Sequence, residues 1–257
     1  MRFLALAFCV LTLQIGCFAQ IDYSIPSPAK AQIDSRISSF VTSLKATKKS
    51  DFQIVRTLFN KAHRDYLKNY VAYSQVDDIF KEGNYDCLSG TYFFARVLDE
   101  LNISYKIFET NYHIFLTVQT DRGEILMEST DRVNGLIQNQ KAIDERISAY
   151  QQTRSNSTNS ELYLSRIRIF HELHSQQLPG LLYFNQAVQA FNKNDLSSCC
   201  LYLEQAWKIY DNQRIDVFAP ILLHAIATSQ IEKSEKEKLI QLIQAHQQTS
   251  PHTIASR

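Results

Sequence analysis

The chain has 257 residues, a formal net charge of +1 and 45% hydrophobic residues. That length supports one large domain or two small ones with proper cores. The near-neutral balance, without any basic cluster, excludes an electrostatic footprint for nucleic acid. Beyond the first twenty residues no segment is apolar for long enough to span a bilayer, so no stable membrane span is expected.

The first stretch reads as an export signal. Met1-Arg2 gives a positive start, Phe3 to Ile15 an apolar run, and Cys17-Phe18-Ala19 a small-residue cleavage site. Residues 1–19 are therefore expected to be removed, and the product to be periplasmic or secreted. The alternative is a lipoprotein anchored at Cys17, after Gln14-Ile15-Gly16. The mature chain then keeps Cys87, Cys199 and Cys200, an odd and low count that argues against a disulfide framework.

Ile25-Pro26-Ser27-Pro28 reads as an extended lead-in. Ile33, Ile37, Phe40, Val41 and Leu44 then recur at helical spacing. Ser50 with Gln53 predicts a capping box for a second helix, whose apolar face is Phe52, Val55, Leu58, Phe59, Ala62 and Tyr66. His63 flanks this stripe as a structural histidine. Tyr70 to Glu82 reads as a connection with a short helical piece, closing at Gly83.

The most informative stretch runs from Gly83 to Asp131. Asp86 is placed to cap a helix that opens at Cys87, and Cys87, Thr91, Phe94 and Leu98 share one face of it. The unpaired N–H groups and dipole of a first turn favour a thiolate there. An inert buried thiol is the structural alternative. Gly90, one turn in, leaves room for another backbone to approach. Ile103 to Glu109 and Tyr112 to Gln119 alternate as strands, with Ile114, Leu116 and Val118 on one face and His113, Phe115 and Thr117 on the other. Asp121-Arg122-Gly123 predicts a hairpin turn, and Glu124 to Glu128 returns.

This stretch resembles the transglutaminase-like superfamily of papain-like cysteine enzymes over residues 83–131. Gly83 and Cys87 open a helix, a strand begins at His113, and Glu128-Ser129-Thr130 stands where the family has Asp-Pro-Thr. The step of fifteen residues from His113 to Glu128 is the family's usual one. The resemblance implies Cys87 as nucleophile, His113 as general base and acid, and Glu128 as orienting carboxylate. Glutamate replaces the family's aspartate, serine its proline, and the hairpin lacks the family's tryptophans. Register offers a rival for the acid. With a three-residue turn Thr120 pairs with Glu124, which puts His113 opposite Asp131 and Glu128 opposite Leu116. A bulge at the glycine restores Glu128.

Residues 141–160 are polar and rich in Ser, Asn and Gln, which predicts a linker or long loop. Beyond it the pattern is helical: Leu162 to Gln177, ended by Pro179-Gly180, then Leu181 to Lys193 and Leu196 to Tyr210 around a turn at Asn194-Asp195, then Ile215 to Ile231 and Ser234 to Gln247. From Tyr183 to Asn212 the hairpin resembles a tetratricopeptide repeat, with Ala187, Cys199 and Ala206 at its small positions and Asp195 in its turn. Cys199-Cys200 then reads as packing, and His171-Glu172-Leu173-His174 as a solvated helix face rather than a metal site.

Together these readings predict an α+β protein. Residues 20–140 would form a transglutaminase-like domain of helices and a small antiparallel sheet, followed by the linker at 141–160 and an all-helical, tetratricopeptide-like domain at 161–257. The implied function is an exported cysteine hydrolase or acyltransferase that acts on amide bonds of a peptide or protein through a thioester. The oxyanion would rest on the Cys87 N–H with Asn84 and Tyr85 as candidate donors. No cofactor or metal is expected. The alternative function is a catalytically silent fold that binds a protein partner through its helical domain.

Overall fold

A computed structural model of the chain describes residues 27–45, 49–152, 169–210 and 212–249. The expected signal and the Cys17 anchor lie outside the described residues. The chain is α+β. Helix α1 (Ser27–Lys45) starts inside the Ser27-Pro28 segment expected to be extended, with the proline in the first turn, where its missing N–H costs nothing. Its apolar positions Ile33, Ile37, Phe40, Val41 and Leu44 are all buried in the main core. Helix α2 (Asp51–Asp65) follows, entered through Ser50, whose N–H donates to Gln53 Oε1 at 3.3 Å. Short strands β1 (Asn69–Tyr70) and β2 (Asn84–Tyr85) pair in parallel around α3 (Val76–Lys81).

Helix α4 (Cys87–Leu101) is the axis of the main core. Phe93, Phe94, Val97 and Leu98 are fully buried on it, each stabilising the fold by about 1.5–3 kcal/mol. Asn102 ends the helix at φ 55°, a left-handed conformation that asparagine tolerates better than most residues.

Five antiparallel strands form the sheet in the order β6-β5-β4-β3-β7. They are β3 (Tyr105–Thr110), β4 (Ile114–Thr120), β5 (Gly123–Met127), β6 (Leu136–Ile137) and β7 (Phe170–Leu173). Ile114, Leu116 and Val118 join the main core beneath α4. Phe115 and Leu126 face the other way, under helix α5 (Gln140–Gln152) with its Ile143, Ile147 and Tyr150. The alternation read from the sequence thus separates two apolar layers.

Three expectations need correction. The hairpin turn has two residues, not three, because Thr120 pairs with Gly123. Thr120 Oγ1 donates to the Gly123 carbonyl at 2.7 Å and accepts the Arg122 N–H at 3.2 Å, which closes the turn around Asp121-Arg122. The polar stretch from 141 begins as helix: Asn139 Oδ1 accepts the Ala142 N–H at 3.1 Å, and the i, i+4, i+7 spacing of Ile143, Ile147 and Tyr150 covers the sheet. Finally, the helix expected over 162–177 is, where described, a strand and a 3-10 turn (Ser175–Gln177). Phe170 to Leu173 completes the sheet against β3, and Leu173, Leu178, Leu181 and Tyr210 enter the main core. The residues after the expected linker therefore share the first core, through β7 and into the helical part itself.

That part comprises α6 (Leu178–Asn192), α7 (Leu196–Ile209), α8 (Gln213–Thr228) and α9 (Lys233–Thr249) around a second core. Pro179-Gly180 opens α6 instead of ending a helix before it. Ala187, Cys199 and Ala206 are fully buried, and Asp195 caps α7 by accepting the Ser198 N–H at 3.0 Å. Burial pushes the Cys200 thiol up to about 12 and raises Cys199 as well, as expected of inert packing thiols. Among the described residues no helix is long and apolar enough to cross a membrane.

A chain cut after Gln152 should lose β7 from the sheet edge and three leucines from the main core. It is expected to show no cooperative thermal transition by circular dichroism, and a sharp transition in that fragment would show that the main core forms without the residues beyond Gln152.

Candidate active site

The cysteine turn is fixed by its cap. Asp86 is buried, and its Oδ1 accepts both the N–H and the hydroxyl of Ser89 at 2.8 Å, while Ser89 Oγ accepts the Asp86 N–H at 2.9 Å. Its other oxygen accepts from Asn185 Nδ2 on α6 at 3.1 Å. Cys87 therefore stands at the first position of α4, partly buried. Gly90 does admit a close neighbour, but the neighbour is the Ser129 side chain rather than a backbone: a Cβ added at Gly90 would lie 2.8 Å from Ser129 Cβ. Ser129 Oγ donates to the Cys87 carbonyl at 3.2 Å, and Thr91 Oγ1 to the Ile114 carbonyl at 3.4 Å. The first turns of α4 are thus bonded to the residues that directly follow Glu128 and His113.

The two-residue turn decides between the acids. Leu116 pairs with Met127, so the next residue, Glu128, falls opposite Phe115, on the face shared with His113. No bulge is needed. His113 Nε2 hydrogen-bonds Glu128 Oε1, Thr130 Oγ1 donates to the same oxygen at 3.3 Å, and the Tyr150 hydroxyl donates to Oε2. The Tyr150 ring also lies 5.3 Å from the imidazole, centroid to centroid, and 5.0 Å from Phe115. Asp131 is committed elsewhere, since its Oδ1 accepts the N–H groups of Val133 at 3.2 Å and Asn134 at 2.8 Å. The loop so formed returns through Gly135, whose carbonyl accepts the Glu128 N–H at 2.7 Å. A Cβ at Gly135 would stand 2.2 Å from the Asp131 carbonyl oxygen, so only glycine lets this loop close behind Glu128.

The site's electrostatics run against a resting thiolate. Burial pushes the Cys87 thiol up to about 12, and the Asp86 and Glu128 carboxylates add to the shift. The first-turn N–H groups of Leu88 and Cys87 pull the other way and are outweighed. The thiolate expected from the helix dipole alone is corrected accordingly. Among the described residues no hydrogen bond joins the thiol to the imidazole. With Nε2 held on Glu128, Nδ1 is the ring nitrogen left to accept a proton.

Of the two candidate oxyanion residues, Asn84 donates its amide to Glu82 at 2.7 Å and accepts from Asn69 at 3.3 Å. Tyr85 is buried, its carbonyl accepting the Val71 N–H at 2.8 Å. His63 lies 2% exposed against Phe59, Phe94 and Tyr85, where burial lowers its pKa to about 4 and keeps it neutral. His171 is on strand β7, not on a helix, and bonds Tyr210. Tyr150 carries no expectation from the sequence, because the polar composition of its segment predicts a linker. Its spacing from Ile143 and Ile147 was the available signal. Among the described residues no cluster of His, Cys, Asp and Glu could hold a metal ion.

The chain matches no family model, and comparison with curated proteins and with solved structures finds no similar protein.

A thiol with a pKa near 12 should react with iodoacetamide at a rate that climbs about tenfold per pH unit from pH 7 to 10. Mass spectrometry of the Cys87 peptide measures this, and a plateau below pH 9 would show a thiolate instead. Replacing Tyr150 with phenylalanine leaves buried Glu128 short of a donor and should cost about 1–3 kcal/mol in denaturant unfolding. An unchanged midpoint would mean that Tyr150 contributes no such bond.

Proposed function

We propose that the chain is a transglutaminase-like cysteine hydrolase or acyltransferase acting on amide bonds of a peptide or protein. The observation that carries this reading is the hydrogen-bonded His113–Glu128 pair, backed by Tyr150 and tied through Ser129 and Ile114 to the turn that bears Cys87. Cys87 Sγ attacks the carbonyl carbon as its proton passes to His113 Nδ1. Glu128 stabilises the imidazolium through Nε2–H. The tetrahedral oxyanion draws on the N–H of Cys87 in the first turn of α4. The imidazolium then protonates the departing amine, leaving a thioester that water or a second amine resolves. A raised thiol pKa suits a proton transfer concerted with attack, in the manner of a serine nucleophile, better than a resting ion pair. Removal of the N-terminal segment on export, and a protein-contact role for the tetratricopeptide-like helices, belong to the same reading.

One observation favours a second reading. The neutral, partly buried thiol with no bond to the imidazole also suits a catalytically silent fold that binds a protein through its helices.

Hydroxylamine trapping separates the two. Incubated with glutamine-containing peptides, the enzyme should form hydroxamates, and Cys87→Ala and His113→Ala should abolish them. Glu128→Gln should lower the rate at least about tenfold, as expected for loss of the group that orients the base, while Asp131→Asn should change it less than about twofold. Absence of hydroxamate and of any Cys87 acyl adduct across a broad peptide and protein panel supports the silent fold.

A further inference from the structure

The loop that leads into His113 is held from the far end of the chain. Thr110 N–H donates to the His113 carbonyl at 2.8 Å, and Thr110 Oγ1 accepts the His113 N–H at 3.0 Å. The orientation of His113 therefore follows the position of Thr110. The carbonyls of Thr110 and Asn111 point at one cation, Arg214, in the first turn of α8. Its Nη2 donates to the Thr110 carbonyl and its Nη1 to the Asn111 carbonyl at 2.7 Å. Its Nε donates to Glu109 Oε1 at 2.6 Å.

Glu109 is 3% exposed at the end of β3. Its second oxygen accepts the Tyr210 hydroxyl at 3.0 Å and lies 3.2 Å from His171 Nε2. Burial alone would raise this carboxyl, but His171 and Arg214 outweigh it and hold it below the usual range. Three donors of the planar guanidinium thus engage three acceptors on consecutive residues, 109, 110 and 111. A lysine, with one charge centre on a flexible stem, does not reproduce that fork.

We propose that Arg214 is a positioning residue for the candidate site: anchored on Glu109, it fixes the Thr110–Asn111 turn and through it the orientation of the His113 ring on Glu128. This inference rests on the reading of His113 as the base. It also gives the helical part a role in that site besides any contact with partners. The same helical part reaches the cysteine side through Asn185 on Asp86.

The test uses the full chain and a readout at His113 itself, the exchange of the Nε2 proton with water followed by NMR. The resonance is assigned by its loss in His113→Gln. Arg214→Met alone would strand a buried carboxylate and destabilise the fold, so it is paired with Glu109→Gln, which removes both charges together. In this double variant the melting transition should stay cooperative while His113 Nε2–H exchange speeds up at least tenfold. Arg214→Lys, which keeps the charge, should give the same acceleration, and it serves alone if the double variant fails to fold. Arg64→Met, whose guanidinium pairs with Asp65 on the surface, should leave exchange unchanged. Unaltered exchange in a folded Arg214→Lys or double variant overturns the positioning role. Faster exchange together with a wild-type chain that shows no His113-dependent turnover keeps the positioning role and removes the enzymatic reading. With turnover present, kcat should fall at least tenfold in Arg214→Lys with KM within about twofold, and hydroxylamine should not restore it.

Discussion

Taking a carboxylate out of water costs several kcal/mol unless enough donors close around it. This chain does so twice on one sheet, at Glu109 at the end of β3 and at Glu128 just beyond β5. Neighbours along and across the strands supply only part of what each acid needs. Glu128 takes donors from His113, Thr130 and Tyr150, the last on a helix 22 residues away. Glu109 takes them from His171, Tyr210 and Arg214, about a hundred residues away for the last two. These demands explain why α5 lies across one face, why β7 pairs at the edge, and why the start of α8 returns to the sheet. The apolar layers supply most of the stabilisation, and the two acids specify which segment meets which.

The same geometry explains what the sequence disclosed. Side chains on a strand alternate strictly, so His113, Phe115 and Thr117 could be separated from Ile114, Leu116 and Val118 by inspection. The face of α4 was equally legible, because Asp86 and Ser89 set its start and its apolar positions recur every three or four residues. The hairpin turn was not. Its length depends on Thr120 Oγ1 bridging Arg122 and Gly123, and on Asp121 being drawn to the Phe52 N–H at 2.9 Å. Neither contact leaves a mark in local pattern, and one residue of turn length decides which acid meets His113. The segments at 140–152 and 170–173 hide for different reasons. The first buries only a narrow apolar edge, so its polar composition reads as linker, and the second is a strand of four residues, too short to interrupt the helical pattern expected around it. Arg214 carried no signal at all, since its partners are two backbone carbonyls and an acid far away in the chain.

The buried Asp86 and Glu128 carboxylates both act on the Cys87 thiol. An acid that caps the cysteine helix and an acid that orients the imidazole are both useful to a nucleophile's geometry, yet both oppose its ionisation. A cysteine site can resolve that conflict in one of two ways. It can supply a permanent cation, or it can keep the thiol neutral and move the proton only as the carbon–sulfur bond forms. Here the Arg214 guanidinium beside the loop that carries His113 is taken up by Glu109 and two carbonyls, and Arg146 Nη1 donates to the Tyr150 hydroxyl at 3.4 Å. The His113 imidazole is fixed by its far nitrogen on Glu128. Under the proposed reading the raised thiol favours the second way, and the direction of His113 Nδ1, rather than the charge on Cys87, then governs the chemistry.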